Sequence, residues 1–292
     1  MTLPAGQSAS QTAVLLKGKG VVRSALMFRV LVRAAGLERR LKPGTYRLRR
    51  RMPPWRLVAA LASGGGGVKI VIPEGFSARQ IAQRLEAAGV CRGGDFLRYV
   101  ALNRLEGYLF PTTYYLEPAS ESGRLAERMN QEFKRRIADE FARTEPKPRM
   151  TLHQLVTLAS IVEREAARKY EQPMVAAVYL NRMRRRMRLE ADPTVQYALG
   201  YWKKGLSAED LRSPSPYNTY IHYGLPPGPI CSPGLDAFRA ALRPARTDDI
   251  YFVADHAGGH VFSATHDEHL RAKQSFKRAL REEKRRLGVR GG

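Results

Sequence analysis

Glu163 and Glu165 are the residues whose types and spacing point most directly to chemistry. They lie in residues 152–168, whose apolar periodicity predicts a helix, with Thr151 as N-cap and Gln154 at the capping-box position. Leu158, Ile161, Val162 and Glu165 fall at i, i+3, i+4 and i+7, one face of that helix. A carboxyl group ending an inward apolar stripe is stripped of water, which favours its neutral form. A Glu kept protonated near neutrality can deliver a proton to a glycosidic oxygen. Glu163 projects about 160° away around the helix, beside Ala159, Ser160 and Ala167. Glu165 is therefore the candidate acid and Glu163 a supporting carboxylate. The alternative is a helix-end ion pair of Glu165 with Arg168 or Lys169.

Downstream, Asp192, Pro193, Thr194 and Tyr197 begin a loop-rich tract, densest over residues 213–234. There Tyr217, Asn218, Thr219, Tyr220 and Pro227 stand among rigid Pro and Gly turns. Aromatic faces stack on the CH groups of a pyranose, while amides and hydroxyls bond its hydroxyls. The tract therefore has the make-up of a sugar-reading surface, although the same composition suits any long structured loop. Long loops inside compact domains are more often functional than idle. His256 with His260 and His266 with His269 have a superficial zinc-ligand spacing, but no Cys lies near. The surrounding residues 250–262 read instead as a β-hairpin turning through Gly258 and Gly259. No metal and no organic cofactor is expected. A Ser-His-Asp hydrolase is disfavoured because there is no Gly-x-Ser-x-Gly elbow.

The elements that must position these residues are legible in outline. Residues 119–141 read as an amphipathic helix broken by Pro146 and Pro148; residues 174–188 as a helix with a basic tail; residues 267–286 as a C-terminal amphipathic helix. The N-terminal part repeats itself at an offset of 69 residues. Each copy has a Pro-x-Gly turn (4–6 and 73–75), a Ser N-cap with Gln at N3 (Ser8 with Gln11, Ser77 with Gln80), an apolar-periodic helix and a closing glycine (Gly20, Gly89). Residues 68–72 predict a strand before the second copy, residues 42–48 another strand, and residues 53–62 a short helix. The run Gly64–Gly67 is a flexible linker and not a phosphate loop, since no Lys-Ser/Thr follows it. The fold class expected is α+β.

With 292 residues the chain is long enough for two domains, and its apolar content excludes a disordered or collagen-like polymer. The 50 basic against 27 acidic residues leave a net charge of +23, which draws a chain to polyanions: nucleic acid, anionic headgroups or acidic wall polymers. The basic runs lack the interleaved aromatics of single-strand platforms, which argues against nucleic acid. Cys91 and Cys231 are too few for a disulfide framework. The longest apolar stretch, residues 21–32, is interrupted by Arg23 and Arg29, so nothing in the sequence reads as a membrane span or a signal peptide.

Five ordered segments resemble the endolytic murein transglycosylases (MltG, or YceG-like). They are Leu-Glu-Gly-Tyr-Leu-Phe-Pro at 105–111, Ala-Ser-Ile-Val-Glu-Arg-Glu at 159–165, Asp-Pro-Thr-Val-Gln-Tyr at 192–197, Tyr-Asn-Thr-Tyr at 217–220 with Gly-Leu-Pro-Pro-Gly-Pro-Ile at 224–230, and Tyr-Phe-Val at 251–253. The resemblance runs from about residue 3 to residue 285. It implies a LysM-like N-terminal region at 1–104, with copies at about 3–52 and 68–104, a catalytic domain at 105–287 and a tail at 288–292. It implies cleavage of peptidoglycan glycan strands, with the second Glu of the Glu-x-Glu pair, Glu165, as catalytic acid/base. Glu163, Glu106, Tyr108, Asp192, Thr194, Tyr197, Tyr217, Asn218, Thr219, Tyr220 and Pro227 are the supporting or substrate-binding candidates. The family usually has Asp where Thr112 stands, and often Thr or Gly at Ala166.

The reaction expected is non-hydrolytic scission of the β-1,4 bond between N-acetylmuramic acid and N-acetylglucosamine, leaving 1,6-anhydro ends. Two alternatives stand beside it: a muramidase-type hydrolase recruiting Glu106 or Asp192 as second carboxylate, and a non-enzymatic wall-binding scaffold. Peptidoglycan synthases are candidate protein partners. Family members normally begin with one membrane anchor, so an upstream segment of ~20 apolar residues and a location on the outer face of the cytoplasmic membrane are expected. The basic patch at residues 39–51 would add headgroup attraction.

Overall fold

The computed structural model describes residues 2–3, 7–38, 41–42, 44–46, 48, 52–63, 68–116, 119–203 and 205–286. The turn at 4–6, most of the basic stretch at 39–51, the linker at 64–67 and the tail at 288–292 lie outside the described residues. The chain forms two compact units. One is made of Met1–Ile72, Ala82–Phe96 and Thr113–Ser122; the other of Pro73–Ile81, Leu97–Thr112 and Gly123–Gly292. Helices joined by small antiparallel sheets make the protein α+β.

The internal repeat is a βααβ unit. The first copy runs β1 (Thr2–Leu3), α1 (Ala9–Gly18), α2 (Ala25–Ala34) and β2 (Gly44–Thr45). After α3 (Pro54–Ser63), the second copy runs β3 (Val68–Val71), α4 (Ala78–Ala87), α5 (Gly93–Leu102) and β4 (Thr113–Leu116). In both copies the outer strands pair antiparallel, Thr2 opposite Thr45 and Val71 opposite Thr113. Both capping boxes form: Ser8 accepts from the Gln11 N–H and Ser77 from the Gln80 N–H, while each Gln accepts the N-cap amide in return. The helices then close on Gly20 and Gly89, at φ 68° and 65°, a conformation only glycine adopts without strain. The likeness continues where the residue match fades, because Phe28 and Phe96, and Val32 and Val100, are buried at equivalent places. The core of the first unit gathers Leu3, Leu16, Phe28, Val32, Tyr46, Leu57 and Leu61.

The second unit is mostly helical. α6 (Ser122–Phe133) passes through a π turn (Lys134–Ala138) into the short α7 (Asp139–Arg143). A single helix over 119–141 was the sequence expectation. Met129, Phe133 and Ile137 are spaced by four, longer than the 3.6-residue period, and the wide turn keeps all three buried. α8 (Leu152–Glu165) is capped by the expected Thr151–Gln154 box but stops at Glu165, three residues short of the predicted end, where Ala166 turns extended at ψ 107°. A 3₁₀ turn (Lys169–Glu171) leads into α9 (Gln172–Arg184), whose basic tail leaves the helix because Arg186 is left-handed at φ 54°. Asp192 opens a helix, α10 (Asp192–Leu199), and not the start of a loop. Pro193 sits in its first turn and Gly200 closes it at φ 78°. α11 (Leu235–Leu242), the expected hairpin of β5 (Tyr251–Ala254) and β6 (His260–Ser263), and α12 (His266–Arg286) complete the unit.

α8, α9 and α11 pack on one another. Leu155, Leu158, Ile161 and Val162 of α8 meet Val175 and Tyr179 of α9 and Phe238 of α11 in one core. Each such aliphatic side chain contributes about 1.5–3 kcal/mol on burial. That packing fixes the direction in which the C-terminal end of α8 points. Among the described residues, no helix is long and apolar enough to cross a membrane.

Candidate active site

Glu165 is the last residue of α8, at the edge of the core its helix face helps to build. It lines a pocket of about 330 Å³ with Tyr179, Arg182, Leu189, Glu190, Asp192, Tyr220, Phe252, His269 and Lys273. The Tyr179 hydroxyl, wholly buried in the core, donates to Glu165 Oε1 at 2.8 Å. Among the described residues, Oε2 accepts no hydrogen bond, which leaves it to meet a ligand. Burial pushes the Glu165 carboxyl up to about 7 against the pull of that hydrogen bond; the Asp192 carboxylate pushes the same way, while Arg182 and Arg164 oppose it. The negative end of the α8 dipole also disfavours an ionised group in the last turn. The alternative sequence reading, an ion pair with Arg168 or Lys169, is not realised. Arg168 bonds the Tyr170 hydroxyl and the Ala257 carbonyl, and Lys169 bridges Glu74 and Asp236.

The pocket walls are pinned from α9. Arg182 Nε donates to the Ile250 carbonyl at 2.7 Å and its Nη1 to the Leu189 carbonyl at 2.9 Å. Asn181 Nδ2 donates to the carbonyls of Thr247 and Asp249, both at 2.8 Å. Thus one turn of α9 holds both the segment before β5 and the segment before α10. Asp192 accepts from the Tyr220 hydroxyl at 2.5 Å, so this carboxylate of the pocket is held by the loop after Tyr217. That loop is locked from beneath. The Thr219 hydroxyl accepts the Ala191 N–H at 3.0 Å and shares a 2.9 Å hydrogen bond with Thr194, whose own hydroxyl donates to the Ala191 carbonyl. Asn218 donates to the carbonyls of Leu211 and Ser213. Thr194, Asn218 and Thr219 are fully buried. Their polar atoms are committed to backbone, so these three hold the loop's shape instead of presenting a surface to a sugar.

The remaining candidates stand elsewhere in the same unit. Glu163 Oε2 accepts the Gly234 N–H at the start of α11, at 2.9 Å; burial raises its carboxyl, and Glu74 adds to the effect. Glu106, Tyr108, Tyr197, Tyr217 and Pro227 line a second pocket, of about 520 Å³, which shares no residue with that of Glu165. Glu106 accepts the Ala78 N–H at 2.9 Å and the Tyr197 hydroxyl at 3.3 Å, and burial pushes its carboxyl up to about 7. The backbone at Gly107 has φ 80°, and a Cβ there would lie 2.2 Å from Pro229 Cβ, so only glycine lets the Glu106 segment press against the Pro-rich loop. The histidines have structural partners: His260 pairs with the buried Glu171 at 2.8 Å, His256 stacks on Phe276, and His266 and His269 pack on Tyr251.

A model of the YceG-like family matches residues 1–275. The chain belongs to the YceG-like family. Among similar proteins, one of Bacillus subtilis (strain 168), named endolytic murein transglycosylase, is 31% identical, with the match covering 94% of this chain and 84% of that protein. A Streptococcus pneumoniae protein of the same name is 28% identical over 91% of this chain, which spans only 56% of that longer relative. The crystal structure of a yceG-like protein from Listeria monocytogenes superposes with a TM-score of 0.63 at 34% identity, covering 92% of this chain and 97% of that one.

In this member of the YceG-like family, the sequence pattern names the carboxylates together with Tyr197 and Tyr220, which bond Glu106 and Asp192, but it misses the residues around Glu165. Tyr179 and Arg182 carry the clearest signals in hindsight. A buried tyrosine hydroxyl needs an acceptor, and a guanidinium with 11% of its side chain exposed needs acceptors such as backbone carbonyls. Phe252, His269 and Lys273 reach the pocket from distant segments, which no local spacing announces.

Proposed function

We propose that this YceG-like chain is an endolytic lytic transglycosylase. It cleaves the β-1,4 bond between N-acetylmuramic acid and N-acetylglucosamine inside peptidoglycan strands and leaves 1,6-anhydro ends. The observation that carries the reading is Glu165: a carboxyl pushed up to about 7, oriented by the Tyr179 hydroxyl at one oxygen, on a side chain that lines a pocket of about 330 Å³. At neutrality such a group exists in both forms, as a residue that must first give and then take a proton requires.

In the first half-reaction the protonated Glu165 donates to the glycosidic oxygen as the bond to the muramoyl C1 breaks. In the second, the Glu165 carboxylate takes the proton of the muramoyl C6 hydroxyl, and C6–O closes on C1. Glu165 gives one proton to the leaving hydroxyl and regains one from the C6 hydroxyl, no water is consumed, and one carboxylate suffices. In this reading Asp192, held by Tyr220 in the same pocket, offsets the positive charge that develops at C1. Asp192 is also the observation that favours the second reading, a hydrolase, since hydrolases set two carboxyl groups about the bond. Purified glycan strands incubated with wild type and with Glu165→Gln test the proposal. Wild type should shorten strands internally and the variant should not; equal activity in both would remove Glu165 from the chemistry.

A LysM-like wall-binding part, expected at 1–104, belongs to this reading and is supported by the duplicated βααβ unit, although the second copy closes only with β4 at Thr113–Leu116, beyond that expected boundary. An upstream membrane anchor, placement on the outer face of the cytoplasmic membrane and association with peptidoglycan synthases belong to the same proposal. They are tested by fractionating the native gene product and by co-purification from crosslinked cells.

A further inference from the structure

The pocket of Glu106 has no part in the reaction proposed above, yet it is built like a ligand site. Its volume of about 520 Å³ lies within the range of small-molecule pockets. Two aromatic rings form one wall, Tyr197 and Tyr217, with centroids 4.8 Å apart and planes tilted by 50°. His153, also in the lining, is fixed by two hydrogen bonds, its Nε2 to the Pro227 carbonyl at 2.9 Å and its Nδ1 to the Tyr108 hydroxyl at 2.7 Å. A carbonyl can only accept, so Nε2 carries a proton, and in the neutral ring Nδ1 accepts from Tyr108. Leu97 and Val100 supply an apolar side.

The charge of the pocket narrows the ligand. Among the described residues, Glu106 is its acid and Arg104 its one lining cation. A carboxylate-bearing peptide would face Glu106 with a single exposed Arg to offset it, whereas a neutral, hydroxylated ligand meets no such penalty. Burial keeps Glu106 partly protonated near neutrality, so it can both donate to and accept from hydroxyls. Flat aromatic faces with an apolar edge suit the CH face of a pyranose and the methyl of an acetamido group.

We propose that Glu106, Tyr197 and Tyr217 form a saccharide subsite for a neutral N-acetylated sugar unit, distinct from the pocket that contains Glu165. The inference rests on the glycan-strand reading for its substrate class. It makes the protein hold its polymer at a second point, away from the bond that breaks. A strand too short to reach this subsite would then be cleaved with a higher KM, while kcat would stay near that of a long strand.

The test uses the full chain carrying Glu165→Gln, with its tyrosine rings isotopically labelled and titrated with chitotetraose, followed by NMR. Tyr197→Phe and Tyr217→Phe identify the two ring signals by their loss. The subsite predicts that both signals shift saturably, and that Tyr217→Ala weakens their common binding curve about tenfold while keeping the thermal unfolding transition. Tyr217→Phe, which retains the ring, should bind as before. Unmoved Tyr197 and Tyr217 signals at saturating sugar, or shifts confined to Tyr179 and Tyr220, would overturn the proposal. Failure of wild type to leave 1,6-anhydro ends would instead sink the lytic reading, and the ring shifts would still decide the subsite.

Discussion

Replacing Glu165 by Gln should abolish activity and at the same time stabilise the protein, by an amount that depends on pH. The folded-state carboxyl sits at about 7 against an ordinary 4.5. Between those values the folded chain holds a proton that the unfolded chain releases, so stability falls as pH rises through that window and stays lower above it. A shift of this size corresponds to about 3 kcal/mol. Gln carries no charge to desolvate, and its side-chain oxygen can still accept the Tyr179 hydroxyl. At pH 8–9 the variant should therefore exceed wild type by up to about 3 kcal/mol, roughly 6–12 °C in Tm for a unit of this size. The gap should close toward pH 4.5. Glu106 titrates in the same range, so the wild-type curve alone does not isolate Glu165; the difference between the two curves does. Calorimetry across pH 4.5 to 9 reads it. Parallel curves, or a variant less stable than wild type at pH 8, would refute the desolvation on which the catalytic assignment rests.

Further expectations concern the residues around it. Tyr179→Phe removes the one hydrogen bond that favours the Glu165 carboxylate; the basic limb of the pH–rate profile, near pH 7 in wild type, should move upward and the neutral rate should fall by about tenfold. Glu163→Gln keeps an acceptor for the Gly234 N–H and should retain most activity, in contrast with Glu165→Gln; the reverse order, measured on the same strands, would exchange their roles. Thr219→Val strands the buried Ala191 N–H, a loss of about 1–3 kcal/mol that denaturant unfolding can read, with Asp192 displaced as a consequence. Gly107→Ala must fit a Cβ 2.2 Å from Pro229 at φ 80°, so it should unfold at least ~2 kcal/mol more easily.

What the sequence made legible was whatever is encoded locally. Both repeat capping boxes, the Thr151–Gln154 box, the Gly258–Gly259 hairpin and the inward face of Glu165 depend on neighbours within one turn, and all are present. Misread elements were those where tertiary structure decides. The π turn after Phe133 answers a four-residue spacing of buried side chains, and α8 ends at Glu165, where Ala166 turns extended. α10 lies within a tract whose composition reads as loop, although Pro193 and Gly200 mark its two ends. The candidate list mixed two pockets and a buried scaffold. Residue type shows that Tyr197, Asn218 and Tyr220 can bond a sugar; only the fold shows that Asn218 is spent on Leu211 and Ser213, and that the two tyrosines face different cavities.

The central claim is that Glu165 closes the muramoyl C6 hydroxyl onto C1 without water. Digestion of purified glycan strands in heavy-oxygen water, with mass analysis of the new ends, tests it most directly. The account predicts ends lighter than reducing ends by one water and free of the heavy isotope. Ends that carry the heavy oxygen at C1 would contradict it and hand the site to a hydrolase, with Asp192 as the second carboxylate.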